Sequence, residues 1–251
     1  MDLETLTLDV SEGIATVILN RAPVNAQNRQ MREEIVRVFD ALSDRDDVRV
    51  VVLSATGKAF CAGADIKERR GMAPEAGAYL AHNRLTRESF WVIADCAKPV
   101  ICAVQGAAIG AGFAIMLAAD IMLASDNAWF QMPEIDVGLA GAGRMVEQAM
   151  GKSNARLAYF TARRIPAAEL YRMGVISGVH PAETLMDEAM TIAREIAAKN
   201  PRGVPAVKRG FQVAESLPYR EAYRYEQGIT HALSTSEETR NLQADFGTKK
   251  P

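Results

Sequence analysis

Val104-Gln105-Gly106-Ala107-Ala108-Ile109-Gly110-Ala111-Gly112-Phe113-Ala114 is the stretch on which the reading of this chain turns. Upstream of it, Val100, Ile101 and Val104 make an apolar, partly β-branched run that predicts a buried strand ending at Gln105-Gly106. Downstream, Phe113 to Ala119 predicts an apolar helix that stops at Asp120. Glycines at 106, 110 and 112 let the backbone turn tightly between the two. A helix start leaves several N–H groups without intrahelical partners, all aimed outward, so the turn is suited to an anion or to an oxygen that becomes anionic during a reaction.

Outward from this centre the chain reads as α/β. Leu3 to Val10 and Ile14 to Leu19 flank Ser11-Glu12-Gly13, a hairpin signal. Arg21-Ala22-Pro23-Val24-Asn25 is a loop, and Asn28 is placed to cap a helix carrying Met31, Ile35, Val38, Phe39 and Leu42 at helical spacing. Val48 to Leu53 is a continuous β-branched run, a strand buried on both faces. Gly57 to Lys67 is a second small-residue loop, and Glu75 to Lys98 predicts a long helix. Beyond Asp120, Ile121 to Ala124 predicts a short strand, and Phe130 to Leu139 an extended loop because Pro133 blocks a helix interior. From Met145 onward the pattern is almost wholly helical, with Leu185, Ala189, Ile192, Ala193 and Ile196 on one stripe. No repeat or low-complexity tract is evident.

Composition narrows the functional classes. The 251 residues carry 29 Lys and Arg against 31 Asp and Glu, with no basic excess to imply nucleic acid. The start, Met1-Asp2-Leu3-Glu4, lacks the pattern of a signal peptide, and the run from Gly106 to Ala119 is too short and glycine-rich to span a bilayer. Cys61, Cys96 and Cys102 fit no metal spacing, and neither do His82, His180 and His231. The expectation is a soluble, cytoplasmic protein with reduced thiols, no bound metal, and neither a membrane nor a nucleic-acid partner. Nucleotide motifs fail as well. Ile115 stands where the last glycine of a dinucleotide fingerprint belongs, and Val146 where a phosphate loop ending in Gly151-Lys152-Ser153 needs its first.

Two small-residue loops, Ala62-Gly63-Ala64-Asp65 and Gly110-Ala111-Gly112, each follow a predicted strand. If those strands are neighbours, both loops reach the same sheet edge, and two convergent N–H groups would form an oxyanion hole. On spacing alone, the same glycines would equally serve tight turns.

Phe60-Cys61-Ala62-Gly63-Ala64-Asp65-Ile66-Lys67, the stretch from Lys98 through Gly112, and Phe130-Gln131-Met132-Pro133-Glu134-Ile135-Asp136-Val137-Gly138-Leu139 together resemble the enoyl-CoA hydratase/isomerase (crotonase) family, in order and over nearly the whole chain. The resemblance implies an α/β, crotonase-like spiral of ββα units over residues 1–195 and a helical trimerisation region over 196–251, assembling as a trimer or a pair of trimers. It implies an acyl-CoA thioester as ligand, with coenzyme A part of the substrate and no separate cofactor. The thioester oxygen would lie between the N–H groups of Ala64 and Ala111. Coenzyme A would run along Pro23-Val24 and Ala62 to Ile66, including Asp65, and past Gly110.

Of the two glutamates that hydratases of this family usually carry, the second is present as Glu134 and the first falls on Ala114. Arg144 stands where a glycine is usual, and the aspartate of some dienoyl-CoA isomerases would align near Ala142. Hydration of a 2-enoyl thioester needs a held water and a proton for the α-carbon, work for two carboxyls. A shift of the double bond needs one base moving a proton from C2 to C4. The expected activity is therefore hydratase/isomerase-type enolate chemistry with Glu134 as acid/base. One-glutamate isomerisation and hydroxycinnamoyl-CoA hydratase-lyase activity are alternatives, and a catalytically weak acyl-CoA- or partner-binding protein is the reading of another class.

Overall fold

In the computed structural model, which describes residues 1–70 and 77–246, the chain begins with a hairpin. Strands β1 (Leu6–Ser11) and β2 (Ile14–Leu19) pair antiparallel from Leu6↔Leu19 to Ser11↔Ile14. Glu12 and Gly13 close it, both at positive φ, the two-residue turn that matches strand twist. Helix α1 (Arg29–Asp44) starts where expected: Asn28 Oδ1 accepts the Met31 N–H, and Met31, Ile35, Val38, Phe39 and Leu42 are buried. Glu34, on the same helix, accepts the N–H groups of Glu4 and Thr5 and the Thr5 hydroxyl, tying the N-terminal segment to α1.

Thereafter strands come in pairs that part company. β3 (Val50–Ala55), β5 (Val100–Val104) and β7 (Ile121–Ser125) extend the hairpin in parallel and, with β10 (Gly178–His180), make a six-stranded sheet of order β1-β2-β3-β5-β7-β10. Their successors β4 (Ala59–Cys61), β6 (Ala107–Ile109) and β8 (Trp129–Gln131), with β9 (Ile165–Pro166), form a smaller sheet of order β4-β6-β8-β9. The chain thus winds as strand, strand, helix, each turn adding one strand to each sheet. The spiral is repetitive in space while showing no repeat in sequence. The helices of these turns are α2 (Ile66–Arg70), α3 (Ala78–Ala94) and α4 (Ala111–Leu117).

Several expectations are corrected. The segments around 59–61 and 107–109 were expected as loop and turn and are strands, each only three residues long. The segment from Phe130 is not one extended loop: β8 continues to Gln131, and after Pro133 a single 3₁₀ turn spans Glu134–Val137. Proline before the first turn, rather than inside it, is compatible with helix. The long helix expected over 75–98 is α3, which ends at Ala94, and its expected start at 75–76 lies outside the described residues. The C-terminal half is interrupted by β9 (Ile165–Pro166), antiparallel to β8, and β10 (Gly178–His180), parallel to β7.

The remaining helices are α5 (Gly143–Met150), α6 (Lys152–Thr161), α7 (Ala167–Arg172), α8 (Leu185–Ala197), α9 (Gly203–Ala214), α10 (Tyr219–Ser234) and α11 (Glu237–Phe246). On α8, Leu185, Ala189 and Ala193 bury against Val50, Val52, Ile101 and Leu123 of the large sheet, with Ile192 and Ile196 partly buried beside them. From α9, Lys208 Nζ reaches the Lys98 carbonyl at 3.0 Å and Asp120 Oδ2 at 2.7 Å. That same oxygen accepts the Val100 N–H at 2.7 Å. Among the described residues no helix is long and apolar enough to cross a membrane.

Candidate active site

β4 and β6 pair in parallel, Ala59↔Ala107 and Cys61↔Ala108, so the loops that follow them leave the small sheet side by side. The approach is tight. A Cβ on Gly63 would stand 2.8 Å from the Ile109 carbonyl oxygen and 3.7 Å from the Ala111 nitrogen, and Gly63 has φ +90. Only glycine fits there. The Ala64 and Ala111 N–H groups donate to no backbone carbonyl among the described residues. Ala111 opens α4, where the helix geometry leaves its N–H free of an intrahelical acceptor.

The Ala62–Ile66 loop is pinned from behind. Ala62 N–H donates to the Val24 carbonyl at 3.0 Å; Gln27 N–H donates to the Gly63 carbonyl at 2.7 Å; Asp65 N–H donates to the Gln27 carbonyl at 2.9 Å. Those last two bonds bracket Ala64. Asp65 also pairs with Arg21 at 2.9 Å and accepts the Lys67 N–H at 3.0 Å. Burial pulls the Asp65 carboxyl upward, but the Glu68 N–H, Arg21 and the Lys67 N–H outweigh it and hold it below the usual carboxylate range. The carboxylate is thus committed to its own loop.

Glu134 lies above the second loop. The Gly110 N–H donates to the Gln131 carbonyl at 2.8 Å, which seats the turn against β8 and brings the 3₁₀ turn over it. A Cβ on Gly110 would be 2.6 Å from Glu134 Oε1. Glu134 Oε2 is buried with no hydrogen-bond partner among the described residues. Burial, only partly offset by a backbone hydrogen bond, raises the carboxyl above its ordinary value. An unsatisfied buried carboxyl is costly for stability and suited to moving protons.

These parts open on one cavity of about 940 Å³. Ala62, Ala64, Ile66, Gly110, Ala111, Ala114 and Glu134 all line it. Pro23, Val24 and Asp65 do not; they stand behind or beside the first loop, Val24 half exposed and holding Ala62 through its carbonyl. The residues that sequence reasoning missed come from α3: Tyr79, His82, Asn83, Thr86, Arg87, Phe90 and Trp91 form one wall. His82, expected to be an uninvolved surface or core residue, is among them. Their three- and four-residue spacing is a helical face, a signal present in the sequence but polar at one end and apolar at the other, so no amphipathic stripe stands out.

A further wall runs from Leu139 to Met145. Tyr159 on α6 clamps it: its hydroxyl accepts the Gly141 N–H at 2.9 Å and donates to the Gly141 carbonyl. Burial raises the Tyr159 phenol above its ordinary value against that hydrogen bond, and the nearby Glu134 charge adds to the rise. Among the described residues no three His, Cys, Asp or Glu side chains cluster as metal ligands.

With this geometry in hand, comparison with known proteins is decisive. The family model described as enoyl-CoA hydratase/isomerase matches residues 9–250. The chain belongs to the enoyl-CoA hydratase/isomerase family. It is an enzyme by that membership, and its fold is the crotonase fold. A (7aS)-7a-methyl-1,5-dioxo-2,3,5,6,7,7a-hexahydro-1H-indene-carboxyl-CoA hydrolase from Rhodococcus jostii is 37% identical over 92% of this chain and 88% of the relative. The human mitochondrial Δ(3,5)-Δ(2,4)-dienoyl-CoA isomerase is 34% identical over 90% of this chain and 74% of its own length. A Mycobacterium smegmatis enoyl-CoA hydratase structure superposes with a TM-score of 0.93 at 27% identity, covering 99% of this chain and 98% of that one.

Ala114 is fully buried in α4 and lines the cavity, presenting a methyl group to it. Arg144, at the start of α5, lines the same cavity.

Proposed function

We propose that this enzyme runs thioester-enolate chemistry on an acyl-CoA, with the thioester oxygen between the Ala64 and Ala111 N–H groups and Glu134 as the acid/base. The observation that carries the reading is Glu134 itself, a half-buried carboxyl whose buried Oε2 has no partner among the described residues, packed on the turn that leads directly to Ala111. When a base removes the C2 proton, the electron pair moves toward the carbonyl and charge builds on the thioester oxygen. Each preorganised donor there is typically worth about 3 kcal/mol. Returning the proton to C4 completes a double-bond shift. Adding water across a 2,3 double bond requires hydroxide at C3 and a proton at C2, and Glu134 would serve both in turn.

Ala114 favours a second reading, because it removes the partner that fast two-carboxylate hydration uses. With the hydrolase among the relatives, the same parts suit hydrolysis of a β-keto acyl thioester. Glu134 takes a proton from water, the resulting hydroxide adds to the C3 ketone, and the C2–C3 bond breaks. Its electron pair forms the thioester enolate, which the two N–H groups hold until Glu134 returns the proton to C2.

Coenzyme A would leave along Ala62 to Ile66 beside Pro23 and Val24, through backbone contacts for the most part. The trimer or pair of trimers, built on the helices after α8, and the cytoplasmic location belong to the same proposal. Exposed Phe211, Tyr219 and Tyr223 on α9 and α10 support the assembly.

The test is exchange of solvent deuterium into the α-position of bound saturated acyl-CoAs, read by mass spectrometry. Exchange that is present in wild type and falls at least about a hundredfold in Glu134→Gln is expected. No exchange at any chain length would leave a binding protein instead. Product identification with crotonyl-, 3-enoyl-, aryl-enoyl- and β-keto acyl-CoAs separates hydration, isomerisation, lyase cleavage and hydrolysis.

A further inference from the structure

Arg144 has no role in the reaction just described, yet its position is specific. It occupies the second residue of α5, and α5 packs against α4, the helix that carries Ala111 and Ala114. Its side chain is exposed, lines the cavity, and forms no ion pair among the described residues. The α3 wall adds Asn83 and Thr86, and Arg87, which is engaged by Glu88. The acidic groups on the same cavity are Glu134, which the proposed chemistry occupies, and Asp136, which is exposed.

An aliphatic chain seated against Arg144 would strip water from a guanidinium and return no acceptor, an unfavourable exchange. A carboxylate or ketone oxygen would instead receive charge-assisted hydrogen bonds from a planar donor set suited to it. Resting on the acyl-CoA reading above, we propose that the acyl group carries an oxygen acceptor remote from the thioester, a carboxylate or a ketone, and that Arg144 is the residue that selects it. Coenzyme A phosphates could recruit the same cation, so the experiment must separate them from the acyl oxygen.

The probes are glutaryl-CoA, 5-oxohexanoyl-CoA and 5-methylhexanoyl-CoA, which differ at the far carbon only in bearing a carboxylate, a ketone or two methyl groups. A second set three carbons longer covers a deeper seat. Dissociation constants are measured by calorimetry for wild type, Arg144→Ala and Arg144→Lys, with free coenzyme A as the control. The expected result is that an oxygenated probe binds wild type roughly ten- to a hundredfold tighter than its methyl counterpart. Arg144→Ala should collapse that ratio toward one, and Arg144→Lys should restore part of it. No preference in either length set overturns the proposal. So does a ratio that survives Arg144→Ala, or a loss shared equally by the methyl probe and free coenzyme A, which would assign Arg144 to the coenzyme. Wild-type α-deuterium exchange on 5-methylhexanoyl-CoA tells whether the acyl-CoA reading stands when this one falls.

Discussion

The carboxyl of Glu134 rests on the bare Cα of Gly110: a Cβ there would sit 2.6 Å from Oε1, and Gly110 has φ +51. The missing side chain is what lets a carboxylate and a helix-start N–H share one small volume. Gly110→Ala should therefore push the carboxyl aside and strain the turn together. Displacements of this kind cost on the order of a hundredfold in turnover. Steady-state kinetics beside circular dichroism checks it; near-wild-type turnover in a folded variant would refute the arrangement.

The raised carboxyl of Glu134 has a consequence for pH dependence. Acting as a base in the free enzyme, it must be ionised, so kcat/KM should climb with pH through a midpoint above the ordinary 4.5. In Glu134→Gln the limb should vanish along with most of the activity. A limb that persists unchanged in the variant would assign it to another group.

Placing a carboxylate at Ala114 is the direct test of the single-carboxylate proposal. Ala114→Glu places an acid in the first turns of α4, where the helix dipole favours its ionised form by about 0.5 kcal/mol and burial opposes it. Hydration of crotonyl-CoA should rise relative to double-bond isomerisation when both rates are measured on one preparation. Overpacking of a fully buried site should cost about 1–3 kcal/mol of stability. A wild type that already hydrates quickly, with a variant that is merely slower, would remove the single-carboxylate argument.

Tyr159→Phe removes the hydroxyl that holds Gly141 and nothing else. Stability should fall by about 1–2 kcal/mol, the worth of the two hydrogen bonds the hydroxyl makes to Gly141. If the clamp keeps the wall from Leu139 to Met145 in register with Glu134, kcat should fall several-fold more than that loss of folded protein explains, with KM changing less. An unaltered kcat would make the clamp purely structural.

Glu34 should govern acid stability. Burial raises its carboxyl, but donations from the Thr5 hydroxyl, the Glu4 N–H, Gln30 and the Thr5 N–H prevail and bring it down to about 2, against an ordinary 4.5. A lowered folded value means the contribution is present above 4.5 and is lost as pH falls toward 2. It amounts to about 3 kcal/mol at neutral pH. Denaturant melts between pH 7 and 2 should show wild type losing this increment over that window, while Glu34→Gln shows a flatter profile.

Much of the architecture was legible because its signals are long. The hairpin, the Asn28 cap, the strands at 50–55 and 100–104 and the helix after Gly110 each draw on a full period of hydrophobic pattern or on a turn residue with one conformational purpose. β4, β6 and β8 were not, because three residues are too few for alternation to register and their pairing is decided by distant neighbours. The site divides in the same way. Ala64, Gly110, Ala111 and Glu134 line one cavity and sit on loops that stand out in the sequence by their small residues or by Pro133, whereas the α3 wall and Tyr159 depend on how separate elements dock. A tyrosine on a helix says nothing of the glycine eighteen positions earlier that it will hold.

The contact of Lys208 with Asp120 makes the far end of the chain answerable for the middle. Lys208 has a side chain only 6% exposed, and the oxygen it binds also fastens Val100, the first residue of the strand leading to the turn at Gly110. Severing the chain after α8 would leave that carboxylate, its side chain already 34% exposed, without its cation. Heat or a protease acting on α9 would thus reach the turn at Gly110 without touching it, because the carboxylate that fastens the strand leading there would lose its cation.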